Sequence, residues 1–218
     1  MVWVSSLYFK PDFVNPFSLD QIETSYFTDD RARCKELVVM MAQRNNFHWA
    51  DLPELDCTML ELACRKSSVV MQILLPNKND GLERAERGLD NFSPQLTFSR
   101  RKSLCEVALR LPAFKFNKIY NMKKPLTNLG LKDIFDDEAN YKPMMNDHNL
   151  TLSKLLQIVR VDVVPKVGAE SVPLAGGGVD VIEFDVDRPF LFFIYDTNTE
   201  MVLAQGRIVN PNRASWVG

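Results

Sequence analysis

The sequence is short of glycine, cysteine, histidine and net charge, and each shortage removes a class of protein. Nine glycines in 218 residues exclude collagen and glycine-rich disordered chains. Four cysteines are too few for a disulfide-stapled scaffold in a chain of this length. Two histidines, His48 and His148, do not make a convincing metal site. The formal charge is −2, so no basic excess exists to neutralise phosphates, and no nucleic-acid partner is expected. No apolar run reaches the roughly 18 residues of a membrane-spanning helix, so no membrane partner is expected either. GxSxG, P-loop and GxGxxG patterns are missing, and neither an enzyme nor a cofactor is expected. What remains is 46% hydrophobic and 25% charged, near the globular average, with a length suited to one domain or two small ones.

The hydrophobic patterning is mostly that of strands. Met1 to Phe9 has no basic leader region, so it reads as a strand rich in Val, Trp, Leu, Tyr and Phe and not as a signal peptide. Phe190–Tyr195 and Met201–Val209 flank a polar turn and predict a hairpin, and the six apolar residues of the first run predict burial on both faces. Lys35–Ala50 reads as two strand pieces separated by the polar Gln43-Arg44-Asn45-Asn46. Leu55–Cys64 and Ser68–Leu75 predict a second hairpin. Further strands are expected at Leu104–Leu111, at Phe114–Ile119 and within Leu150–Val164, where Val159, Val161 and Val163 alternate with charge. Short helices are expected after Gly81, with Leu82, Ala85 and Leu89 on one face, and over Met122–Leu131, with Gly130 as its cap. The fold class is therefore β-rich α+β with a few short helices.

Few residues carry chemistry. Cys57 and Cys64 lie on predicted strands at a spacing wrong for a zinc ribbon, so they read as buried thiols, and Cys34 and Cys105 as plain core or edge residues. Asp136, Asp137 and Glu138 read as a solvated loop. Asn149-Leu150-Thr151 and Asn91-Phe92-Ser93 are glycosylation tripeptides. Four of the nine glycines crowd between Gly168 and Gly178, in a small-residue stretch with no aromatic side chain. Composition leaves that stretch open as a surface linker or as a loop offered to a partner.

Asp187-Arg188-Pro189-Phe190-Leu191-Phe192, followed by Gly206-Arg207-Ile208-Val209-Asn210-Pro211, closely resembles the C-terminal signature of the serpins. Leu7 to Lys10 with Phe17 resembles that family's YFKG-x-W-x-x-x-F stretch. Val39 to Met41, Leu60 to Leu62, Met71 to Pro76, Leu111 to Phe116 and Leu126 to Phe135 match further family segments in order and spacing. The resemblance implies a serpin-like fold of mixed sheets, a single partial domain over 1–218, and a role as a serine protease inhibitor in an extracellular setting. It further implies that the chain begins in a central strand of the large sheet and lacks the family's N-terminal helical part. Serpins offer an exposed reactive-centre loop as bait, here residues 165–183. On cleavage the loop inserts as a new central strand and drags the acylated protease with it.

The resemblance weakens where that mechanism resides. Gly168, Ala169 and Glu170 are similar to the family's hinge, but Ser171, Val172 and Pro173 replace its alanines. Pro173 has no N–H to give a sheet. Counting from Gly168 puts the cleaved bond at Ile182–Glu183, and counting back from Phe184 puts it at Ala175–Gly176. No Lys or Arg occurs between Ala169 and Asp187, so an elastase- or chymotrypsin-like enzyme cutting near Leu174 or Val181 is expected over a trypsin-like one. Ser5 and Gln157 stand at shutter positions where the family has asparagine and histidine, and Phe13 at its breach tryptophan. Three readings follow: a serpin-like binding or carrier protein that does not trap, a loop inhibitor or competitive substrate of apolar-specific proteases, and a truncated product without independent activity.

Overall fold

A computed structural model describes residues 1–29, 34–91, 93–136, 139, 141, 151–170 and 181–212. These fall into two compact units, one of residues 1–10 and 115–162, the other of residues 11–114 and those from 163 onward.

The first unit is built on a three-stranded sheet in the order β1 (Val2–Phe9), β8 (Lys154–Val163), β7 (Phe114–Asn121). The expected N-terminal strand is present, and its partner is 152 residues away: β1 and β8 run parallel in unbroken register from Val2↔Lys154 to Phe9↔Val161. A parallel pair needs a long crossover connection. Part of it is α3 (Lys123–Asn128), which ends as expected, with Gly130 at φ +99° and Leu131 N–H bonded to Leu126 O at 3.0 Å.

The second unit contains an eight-stranded sheet. Its main path runs β11 (Met201–Ile208), β10 (Phe190–Asp196), β5 (Val69–Pro76), β4 (Cys57–Ala63), β3 (Cys34–Leu52), β6 (Ser103–Pro112), β9 (Ile182–Asp185), and β2 (Ile22–Asp29) pairs with β3 off that path. The C-terminal hairpin forms as predicted, and Phe190–Tyr195 is buried throughout. Gly206 is required inside β11 because a Cβ there would meet the Phe192 ring at 2.7 Å. The β4–β5 hairpin also forms, but β4 starts at Cys57 rather than Leu55. Pro53–Leu55 make a one-turn helix, and Asp56 at φ 52° turns the chain into the strand.

The two predicted pieces around Gln43–Asn46 are a single 19-residue strand. The polar stretch does not interrupt it because β6 supplies a ladder partner to every residue from Met40 to Trp49. Arg44 Nε also bonds Glu106 on that partner at 2.8 Å.

A helix that the patterning does not reveal, α2 (Pro94–Arg101), joins the predicted α1 (Leu82–Gly88) over one face of this sheet. The core between them contains Leu82, Ala85 and Phe98 against Leu52, Met59, Leu74, Leu191 and Phe193. Cys57 belongs to this core. Burial pushes its thiol up to about 12, and that of Cys64 up to about 11. Iodoacetamide at pH 8 is therefore expected to leave Cys57 unmodified in the native protein and to modify it after unfolding in urea, read by peptide mapping. Native labelling at Cys57 would contradict its burial.

Candidate functional site

The segment with the crowded glycines leaves one sheet and re-enters another. At its start, β8 ends at Val163 and the chain is pinned at Lys166. That N–H donates to Phe17 O at 2.8 Å, and Lys166 forms a parallel bridge with Ser18. Lys166 Nζ reaches Asp12 at 2.6 Å, and this bond holds the Asp12 carboxyl below its ordinary value. Arg65 Nε lies 4.0 Å from the same carboxylate. The pairs are exposed and stabilise little. They mark where the chain is held.

A tight turn follows. Ala169 N–H donates to Lys166 O at 3.3 Å, and Gly168 has φ +72°, a conformation that strains a residue with a Cβ. The glycine at the expected hinge thus has a local physical reason. Ser171, Val172, Pro173, Leu174, Ala175 and Gly176 lie outside the described residues, as does Asn149. The side chain of Asn91 is likewise not described; its backbone ends a one-turn helix after α1.

The chain returns as β9, parallel to β6, with Ile182 opposite Val107 and Glu183 opposite Ala108. Phe184 within β9 and Val186 just after it are buried. Ile182 and Glu183 are therefore sheet residues, and Val181 immediately precedes the strand.

Arg110 anchors this return. Its guanidinium bonds Asp185 of β9, Glu23 of β2 (Nε to Oε1, 2.8 Å) and the Ser25 hydroxyl (3.0 Å). Burial raises the Asp185 carboxyl above its ordinary value, with Arg110 opposing, and its buried Oδ1 has no hydrogen-bond partner among the described residues. The folded state therefore holds this proton more tightly than the unfolded chain does. The group adds stability below the ordinary value of 3.8 and loses that contribution as pH rises through the raised one. Arg110→Ala leaves the carboxylate uncompensated. We expect a loss of about 2 kcal/mol at pH 7, discounted for partial exposure, that shrinks as the protein is acidified and Asp185 takes up its proton. Urea midpoints at pH 7 and 4 check this, and an equal loss at both would contradict it.

The expected shutter residues do meet, in the first unit: Ser5 and Gln157 are register partners across β1 and β8. Near the C-terminal ends of the same two strands, Asp162 accepts from Tyr8 Oη at 3.2 Å and from Arg160 Nη2 at 2.8 Å, and Arg160 lies 5.1 Å over the Tyr8 ring. The clasp is not legible in the sequence, because Tyr8 joins Arg160 and Asp162, which are two positions apart on β8, only when β1 and β8 pair. Phe13, in the second unit, is buried edge-on against Phe17, and its backbone bridges to Cys64.

Two polar clusters of the second unit were also not legible. Buried Glu61 gathers His48 Nδ1 of β3 (3.2 Å), Gln72 Nε2 of β5 (3.1 Å) and Nζ of Lys102, which caps the end of α2 (3.4 Å). Beside the Gly168 turn, a cavity of about 440 Å3 is lined by carboxamides and charged groups. Among the described residues, no group of three or more His, Cys, Asp or Glu could hold a metal ion, and no helix is long and apolar enough to cross a membrane.

Comparison with known proteins places this geometry. Residues 1–211 match the family model described as Serpin (serine protease inhibitor). Serpin B4 of Homo sapiens is 31% identical over 97% of this chain and 56% of its own length. Leukocyte elastase inhibitor of Bos taurus is 29% identical over 97% of this chain and 58% of its own. The structure of uncleaved ovalbumin superposes with a TM-score of 0.81 at 26% identity, over 96% of this chain and 54% of that one. The chain thus spans little more than half the length of the relatives it matches.

Proposed function

This chain belongs to the serpin family, and on that premise we propose that it presents residues 165–183 as bait to a serine protease of apolar specificity, as a cleaved competitor and not as a trap. The observation that supports the bait reading is the double tether. The segment is fixed at Lys166 and Gly168 on one side and by β9 and Arg110 on the other, with no basic residue from Ala169 to Asp187. A protease needs an extended stretch free of sheet pairing. Ile182 and Glu183 are paired in β9, so the cut falls upstream of Val181, nearest Leu174, Ala175 and Gly176. The similarity to a protein named Leukocyte elastase inhibitor accords with an apolar cleavage site.

Trapping requires a new strand between β1 and β8. Those strands are already hydrogen-bonded along their length and clasped by Tyr8, Asp162 and Arg160. The incoming strand must repay the broken ladder with its own N–H groups, and Pro173 has none. Ser5 and Gln157 lie on this same seam. A carrier or binding role without inhibition is the second reading, favoured by the same proline. An extracellular setting goes with the protease reading and with the tripeptides at Asn149 and Asn91. The deciding experiment is exposure to a panel of serine proteases, with the cut mapped and covalent complex sought on denaturing gels.

A further inference from the structure

We propose that the cavity beside the Gly168 turn binds a neutral polyhydroxylated ligand of mono- or disaccharide size. Its volume, about 440 Å3, lies within the usual range for small-molecule sites. Among the described residues its lining has no aromatic side chain, and Pro16 and Ala169 supply the aliphatic part of the wall. Four carboxamides, Asn15, Gln21, Gln43 and Asn45, surround it together with Arg65, Lys166 and Glu170. Two of the carboxamides, Gln43 and Asn45, are positioned by the fold. Gln43, 4% exposed on β3, donates Nε2 to Asn15 O at 3.2 Å. Asn45 Oδ1 receives the Asn46 N–H at 3.1 Å.

The charges balance. Arg65 and Lys166 both face Asp12, at 4.0 and 2.6 Å, and Glu170 supplies a second carboxylate at the wall. A carboxamide carries both donors and acceptors. An anion offers acceptors only, so it would leave the amide carbonyls unmatched and would face Glu170. An apolar ligand would strip water from every lining group and return no hydrogen bond. A sugar hydroxyl donates and accepts at once, which is what this lining can satisfy. Gly168, Ala169 and Glu170 form one wall, so an occupied cavity also braces the start of the bait segment. This second consequence rests on the function proposed above; the binding does not.

Maltose and trehalose titrated into the full chain, followed by ligand-observed NMR, test the binding. Sodium sulfate and glucuronate serve as anionic comparisons. Saturable binding of a neutral saccharide at millimolar concentration is expected, weakened about tenfold in Asn45→Ala and in Gln43→Ala, each checked for unchanged folding by circular dichroism. Tighter binding of sulfate or glucuronate, no saccharide binding, or saccharide binding that both variants leave intact overturns the proposal. The bracing is read separately, as slower cleavage between residues 171 and 181 at saturating saccharide in the wild type but not in Asn45→Ala. Binding without slowing removes the bracing alone, and failure of every protease to cut removes the bait reading while leaving the binding result in force.

Discussion

Incubated with an elastase-like serine protease, the protein is expected to be cut between Leu174 and Val181 and to leave no covalent complex that survives SDS. Trypsin is expected to spare this window, because no Lys or Arg lies between Ala169 and Asp187. Two rates compete. After the acyl bond forms, water releases the protease unless a strand enters between β1 and β8 first. Entry breaks a ladder running from Val2↔Lys154 to Phe9↔Val161 and must build two new ones. Pro173 leaves one ladder bond unmade and fits a central strand poorly, a penalty of roughly 1–3 kcal/mol. Each 1.4 kcal/mol that reaches the transition state slows insertion about tenfold, so hydrolysis gains about ten- to a hundredfold. Pro173→Ala shifts the partition toward complex. An SDS-stable complex with the unaltered chain would end the non-trapping reading, and a loop left intact by every apolar-specific enzyme would end the bait reading.

Phe98→Ala is expected to lower stability by about 3–5 kcal/mol, the range for emptying a fully buried phenylalanine site. That is a large part of the total for a marginally stable chain. Phe98 is fully buried, in the core that joins α1 and α2 to β3, β4, β5 and β10. Among the described side chains of α2 it is the only one in that core; Leu96 of the same helix is 52% exposed. Undocking α2 would also release the bidentate Arg101–Glu54 contact (2.8 and 2.6 Å) and move Lys102 away from Glu61. Denaturant unfolding measures the loss, and Leu96→Ala, expected to stay within about 0.5 kcal/mol, is its control. A small effect at Phe98 would mean that the helix is held by something other than this ring.

Legibility tracked the range of the interaction. β1, the β4–β5 hairpin, β10 and β11 were readable because alternation, apolar runs and turn residues are local signals. α1 was readable from Leu82, Ala85 and Leu89. α2 was not, since Pro94–Arg101 gives the core a single aromatic and ends in Arg100 and Arg101, with no stripe to detect. The polar stretch at Gln43–Asn46 was misread as a break because its continuity comes from β6, about 60 residues later. At the candidate site, the reason for Gly168 was within reach, since a hinge glycine implies an unusual φ. The Arg110–Asp185 anchor was not, since its partners are 75 positions apart.

The family, the strand-rich class and the lack of basic residues from Ala169 to Asp187 were all legible in the chain read in a line, because ordered motifs, periodicity and composition are linear properties. Which residues meet was set by the packing of strands and helices. It set Ser5 beside Gln157 and closed Tyr8 and Arg160 on Asp162. It held Ile182 and Glu183 inside a sheet, and it opened a carboxamide-lined cavity beside Gly168. Pairing register and burial fix distances between residues far apart in the chain, and no local propensity encodes those distances.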